Sequence, residues 1–286
     1  ENTLIDATEE ILQVQKNKWN WIEKNPGHNE GGRVKKRLMD FKEDNLKKGN
    51  LPDSWRWAAI EDICCLVVDC HNKTAPYQQD GIPLIRTSNI RDGKLLWQEM
   101  KFVSEETYAY WSRRCLPEPG DIIFTREAPI GEAAIISPKL RVCLGQRTML
   151  FRPFHNLTSN KYLLYSIMSP TFMARTDDIA VGTGVKHFRI RDVSNLLLPI
   201  PSLSEQLEIV RRVETLLTYA DRLESRYHTA RTHLDNLTPS LLAKAFRGEL
   251  VPQDPTDEPA SVLLERLRAT RAAAPPLPRR KGAKEK

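Results

Sequence analysis

No stretch of the 286 residues stays apolar for the ~20 positions that a membrane-spanning helix needs, which excludes such a helix on sequence grounds. A mean hydropathy of −0.48, with 40% hydrophobic and 28% charged residues, describes a water-exposed chain. Paired cysteine spacings are also missing. Cys64, Cys65, Cys70, Cys115 and Cys143 are odd in number and lack the short repeats of a zinc site, and no secretory signal opens the chain, so a reduced cytoplasm is expected. The six histidines are scattered, with neither ligand spacing nor carboxylate partners, so structural roles are expected and no metal ligand is assigned. Enzyme chemistry lacks parts as well. Pro119-Gly120-Asp121 followed by Glu127 offers the two carboxylates of a metal-dependent nuclease, but Pro129 stands where its lysine belongs. Gly182-Thr183-Gly184 suggests a cofactor loop, yet no long helix reads after it and no Asn-Pro-Pro-aromatic element for amino-methyl transfer appears. No catalytic residue is assigned; a nuclease using Asp121 and Glu127 stays as a lesser alternative.

The net charge of +6 is concentrated at one end. Arg266 to Lys286 carries eight basic residues and one acidic, leaving the rest of the chain at −1. With Pro275-Pro276-Leu277-Pro278 inside it, this tail reads as a solvated, disordered end, so a nucleic-acid reading has to come from the body of the chain.

Four segments separate by pattern. Residues 1–50 read as a linker, with a helical stretch from Ala7 to Ile22 and then a run rich in glycine and lysine. Residues 51–203 change to short apolar runs bounded by Pro, Gly, Asn and Asp, which predict strands at Ile82 to Ile85, Asp121 to Thr125, Ala133 to Ile136 and Met149 to Arg152. Helical spacing appears at Lys161 to Met168 and Thr171 to Ala174, split by Ser169-Pro170. Without a βαβ rhythm the unit is expected to be α+β, a mixed globular domain followed by a long coiled-coil-type helix. Residues 204–250 carry that helix, and 251–286 a short helix and the basic tail.

The long helix is the clearest periodic signal. Ile209, Val213, Leu216, Ala220, Leu223, Tyr227, Ala230, Leu234, Leu237 and Leu241 follow at alternating steps of four and three, a heptad seam. Ser204 before Glu205 and Gln206 is expected to cap it, and Thr238-Pro239 to end or kink it, giving one helix from Ser204 to Leu237 of about 50 Å at ~1.5 Å per residue. A helix of that length with an apolar stripe needs a partner helix to be stable in water. Glu10-Ile11-Leu12 with Lys16 faintly repeats Val262-Leu263-Leu264 with Arg268, and the chain opens on Glu1. If the repeat is real, an upstream copy of domain plus helix precedes this sequence in a longer protein; a half-length protein that pairs with a second copy is the alternative.

Several strings carry a family resemblance. Leu51-Pro52-Asp53-Ser54-Trp55-Arg56-Trp57, Arg86-Thr87-Ser88-Asn89-Ile90, Pro119-Gly120-Asp121-Ile122-Ile123-Phe124-Thr125-Arg126, Leu144-Gly145-Gln146-Arg147, Gly182-Thr183-Gly184-Val185-Lys186-His187 and Pro199 through Gln206 resemble, in this order, the target-recognition domains of type I restriction-modification specificity subunits. Lys244-Ala245-Phe246-Arg247-Gly248-Glu249-Leu250 resembles the end of the family's helical spacer, so the likeness is to the C-terminal half of such a subunit, over about Leu51 to Arg271. The resemblance implies a non-catalytic subunit that reads one half of a bipartite site in double-stranded DNA. It implies methylation subunits docked on the helical region, a restriction subunit joining them, and a second recognition domain in cis or a second half-subunit in trans. S-adenosylmethionine, ATP and magnesium would sit on those partners, none on this chain.

Residue chemistry places the contacts. Arginine is the best single reader of guanine edges and Asn or Gln of adenine, while Ser, Thr and Lys mostly hold phosphates. Arg86, Thr87, Ser88 and Asn89 follow a strand, Thr125 and Arg126 end another, Gln146 and Arg147 occupy a glycine-preceded turn, and Lys186, His187 and Arg189 follow the glycine loop. Because the family shares these residues, fold-shaping and phosphate-gripping roles stay open beside base reading. Base readers are expected in the segments that match the family least: Lys73 to Gln79, Lys94 to Trp97 and Tyr108 to Arg114. A scaffold whose globular domain binds protein is the rival reading.

Overall fold

A computed structural model describes residue 13 and residues 51–177, 179–182 and 186–273. The 1–50 linker with its Ala7 to Ile22 helix (Gln13 apart), Thr183 and Gly184 of the glycine loop, and the basic tail from 274 on lie outside the described residues. The chain divides into two units, one ending at Leu217 and one starting at Thr218. The first therefore takes in the opening turns of the long helix, fourteen residues beyond the boundary expected at 203.

The first unit is α+β. Its centre is an antiparallel sheet in the order β2 (Cys64–Asp69), β10 (Thr148–Pro153), β7 (Ile122–Arg126), β8 (Ile130–Ile135). Alternation along these strands sends side chains to opposite faces. Ile122, Phe124, Ala133, Met149 and Phe151 enter one core, and Ile123, Ala134 and Leu150 enter another. With both faces covered, β7 and β10 read as unbroken apolar runs, which is why they stand out in the sequence. Phe124 lies 5.3 Å from Phe151 and 6.0 Å from Phe188 between ring centroids, and all three are fully buried. Each contributes roughly 1.5–3 kcal/mol by burial.

A second sheet runs β6 (Lys101–Val103), β3 (Ile82–Ile85), β9 (Cys143–Leu144), with β3 and β9 parallel. Between β3 and β6, the short pair β4 (Ile90–Arg91) and β5 (Lys94–Leu95) forms a hairpin. β1 (Arg56–Ala59) pairs with β11 (Leu197–Ile200) and so joins the two ends of the unit. The helices include α1 (Ile60–Ile63), α2 (Glu105–Trp111), α3 (Asn160–Met168), α4 (Pro170–Asp177) and α5 (Ile190–Ser194). Ser169-Pro170 separates α3 from α4 as expected: the Ser169 Oγ accepts from the Phe172 N–H at 3.2 Å, and Pro170 opens α4 where no N–H is needed.

The long helix α6 spans Leu203–Phe246, 44 residues or about 66 Å at ~1.5 Å per residue. It begins one residue before the expected cap and, against expectation, does not end at Pro239. Proline removes one intrahelical hydrogen bond, and Leu241, Leu242, Ala243, Lys244 and Ala245 beyond it are strong helix formers that sustain the next turns. Termination comes at Gly248 (φ 71°), where the Gly248 N–H reaches the Ala245 carbonyl and the Glu249 N–H the Lys244 carbonyl. In the first unit Gln206 and Val210 are buried and Ile209 packs against the main core. From Thr215 onward every residue of α6 is exposed, including Leu216, Ala220, Leu223, Tyr227, Ala230, Leu234, Leu237 and Leu241 of the seam. The second unit adds α7 (Ala260–Ala273), with Val262, Leu263, Leu264 and Leu267 exposed. Among the described residues no helix is long and apolar enough to cross a membrane.

Candidate nucleic-acid interface

The four segments singled out by residue chemistry meet at one edge of the two sheets. β3 and β9 are parallel, so Arg86 and Gly145 leave their strands side by side, and the Gly145 N–H donates to the Ile85 carbonyl at 2.8 Å. A Cβ on Gly145 would stand 3.0 Å from that carbonyl oxygen, so glycine permits the close approach. β7 ends where β10 begins, with Thr125 opposite Thr148, and the Arg126 N–H donates to the Arg147 carbonyl at 2.9 Å. The Phe188 N–H in turn donates to the Arg126 carbonyl at 3.0 Å, which brings in Lys186, His187 and Arg189. Backbone hydrogen bonds thus run without a break from 85 to 145, from 147 to 126 and from 126 to 188.

Within that edge the side chains divide by direction. Asn89 is 1% exposed, and its amide accepts from Arg86 and donates to the Leu96 and Gln98 carbonyls at 3.2 Å each. Thr125 is fully buried and its hydroxyl accepts from the Glu132 N–H. Neither is presented to a ligand, so the expectation that they touch DNA is corrected: both hold the fold. Arg86 donates Nη2 to the Glu99 carbonyl at 2.7 Å, so Arg86 and Asn89 together fasten the loop 96–99, on which Trp97 is half-exposed. Arg126 donates Nη1 to the Phe188 carbonyl, while its Nε is buried with no hydrogen-bond partner among the described residues. It clamps the 186–189 segment. Outward-facing are Ser88, Arg147, Lys186 and Arg189, with Thr87, Gln146 and His187 partly exposed. Arg147 adopts φ 70° and its Nε lies 3.4 Å from Glu127.

The edge continues past β2. Cys70 donates its N–H to the Thr148 carbonyl, and the Thr74 hydroxyl lies 3.5 Å from Gln146 Oε1. His71 stacks on Trp111 at 4.6 Å, and Tyr110 beside it is half-exposed under the Arg113 guanidinium. His71 was not among the expected contacts. The strands expected from the sequence do not include Cys64–Asp69, and only that strand's register delivers the following residues to this edge.

The paired carboxylates do not form a nuclease centre. Asp121 is 1% exposed and accepts from Arg152 Nε and Nη2 at 2.8 Å each and from the Glu118 N–H, whereas Glu127 pairs with Arg147. The aspartate raises the Arg152 guanidinium above its ordinary range, as a tight buried ion pair requires. Burial likewise raises the thiols of Cys70 and Cys115, and that of Cys143 to about 12, so none of the three is a thiolate nucleophile at neutral pH.

Comparison with known proteins agrees with this architecture. The profile of the type I restriction modification DNA specificity domain matches residues 52–228. The chain is 30% identical over 258 residues to the EcoBI specificity subunit of Escherichia coli, covering 85% of this chain and 54% of that protein. It is 32% identical over 210 residues to the EcoKI specificity subunit of Escherichia coli K12, covering 68% and 44%. The chain therefore spans about half the length of the curated relatives it matches. The fold is shared with the HsdS subunit from Thermoanaerobacter tengcongensis, at a TM-score of 0.51 and 19% identity, covering 85% of this chain and 59% of that one. A chain from structural work on complex assembly and conformational transition of the type I R-M system gives a TM-score of 0.53, also at 19% identity, covering 85% and 57%. With its profile match over most of the first unit, its strand-end edge and its long helix, the chain belongs to the type I restriction-modification DNA specificity family.

Proposed function

We propose that this chain is a non-catalytic sequence-reading part of a type I restriction-modification complex. Its first unit reads one half of a split duplex target, and its helices dock the methylation subunits. The observation that carries this reading is the single strand-end edge: four separate polar and basic segments are brought side by side by backbone hydrogen bonds, while the side chains beneath them are buried or clamped. That arrangement suits recognition, in which preset donors on a rigid frame meet a duplex without reordering. Arg147, Lys186 and Arg189 suit phosphates and guanine edges, and Gln146 an adenine edge.

The exposed stripe on α6 supports the docking role. Leu216, Leu223, Leu234 and Leu237 are 45–68% exposed, in a helix that water alone does not stabilise. Its partners in this reading are the methylation subunits and a second recognition domain, in cis or on a second half-subunit in trans, with a restriction subunit completing the assembly. S-adenosylmethionine, ATP and magnesium belong to those partners. Since one duplex turn is ~34 Å, a helix of about 66 Å suits half-sites more than a turn apart.

The test is duplex affinity of the chain co-expressed with a methylation subunit, measured against salt. Phosphate contacts make log affinity fall with log salt at about −0.9 per contact. A steep fall with a sequence preference is the expected result. A flat response would contradict the reading and favour a protein-binding scaffold.

A further inference from the structure

We propose that Arg113, propped on the ring of Tyr110 at the end of α2, reads a guanine edge and is a specificity-determining residue of the half-site. This rests on the recognition role proposed above and assigns one side chain within it.

Placement comes first. β2 ends at Asp69 opposite Met149, and the Cys70 N–H bonds the Thr148 carbonyl, so the residues after β2 emerge at the same edge as Gln146 and Arg147. His71 then stacks on Trp111 with 22° between planes, and Arg114 pairs with Asp69 at 2.5 Å. Those two contacts fasten the end of α2 and the residues just after it to that edge.

Arg113 differs from the arginines around it. Arg86, Arg126 and Arg152 are held by groups distant in sequence that fix the fold, Arg147 leans on Glu127 at 3.4 Å, and Arg114 serves as the staple to Asp69. Arg113 is exposed, no described carboxylate pairs with it, and its contacts are local: 4.1 Å from its guanidinium carbon to the Tyr110 ring centroid, and 2.7 Å from Nη1 to the Tyr110 carbonyl. A guanidinium lying on an aromatic face loses little further freedom when its remaining donors meet an acceptor pair, and the O6 and N7 of guanine are the pair that its planar fork matches. The surroundings are positive as well: partial desolvation, then Arg113, Lys73 and Arg114, lower the His71 pKa. A protein partner would be expected to bring carboxylates here, but so does a duplex bring phosphates, and the flanking Thr74 and Gln146 continue a polar reading edge and not an apolar one.

The experiment is selection of a randomised duplex library by the complex of this chain with its methylation subunit, followed by sequencing of the bound pool. Arg113→Ala and Arg113→Lys should each lower the preference for guanine at one position by about 5- to 150-fold and leave the other positions intact. Tyr110→Phe should select as the unaltered complex does, and Tyr110→Ala should weaken the same position as Arg113→Lys. If Arg113→Ala weakens all sequences equally, the side chain grips phosphate and the assignment is overturned. An unaltered complex that selects no motif would remove the recognition role itself, and this assignment with it. A motif unchanged in every variant would remove the assignment alone.

Discussion

Asn89 and Arg113 both sit in segments rich in nucleic-acid chemistry, yet they face opposite ways. The polar string 86–89 was legible as a place where donors gather, but its direction was not. The acceptors that hold Asn89 inward are the Leu96 and Gln98 carbonyls, which only the β4–β5 hairpin brings near. Replacing Asn89 with Ala should strand those carbonyls and release Arg86, lowering stability by about 1–3 kcal/mol in urea unfolding. DNA binding should fall only as far as loop 96–99 loosens. Asp121 makes a sharper case. Asp121→Ala takes from Arg152, 16% exposed, its buried partner and leaves it the more exposed Glu118 at 3.0 Å and the Leu116 carbonyl, so a loss of about 1–3 kcal/mol is expected from the same measurement. A nuclease role would instead leave stability nearly intact. Gln206 has a similar structural duty: it is fully buried and joins the Ser159 N–H to the Leu157 and Pro201 carbonyls, a role that its place in a polar helix start did not reveal.

Among the elements, strands covered on both faces were the readable ones, because β3, β7, β8 and β10 concentrate apolar residues between turn formers. β4, β5 and β9, of two residues each, carry too few side chains to set up any period, and they exist because neighbouring strands supply their hydrogen bonds. The seam of α6 was readable for the opposite reason, since it repeats over many turns. Its first position, Ile209, packs on the core, and the stripe is free only from Leu216 on. Leu216→Asp with Leu223→Asp should therefore leave this chain folded, as both side chains are exposed, and abolish co-purification with a methylation subunit; an unchanged complex would take the stripe out of assembly. Of the two outcomes expected at Pro239, an end or a kink, the end does not occur, because a 44-residue helix absorbs one missing hydrogen bond. Pro239→Ala should raise helix stability by up to ~3 kcal/mol without adding helical circular dichroism. A gain in helical signal would mean that the helix is interrupted there in solution.

At the scale of the molecule, the α+β class was legible in the mix of strand and helix patterns, the long helix in its heptad seam, and the family in the order of the motifs. The assembly of four distant segments into one edge was not, because it depends on the parallel pairing of β3 with β9 and on the meeting of the β7 end with the β10 start. On the proposed function, that edge reads one half of a split target. Its most direct test is to map methylated adenines in a host expressing this chain with its methylation partners, beside the same host carrying the chain with the edge segments 70–79, 86–99, 108–114 and 145–147 exchanged for those of a relative. The expected result is a bipartite motif in which one half changes while the other half and the spacing stay fixed. Methylation at the same sites with both chains would contradict it.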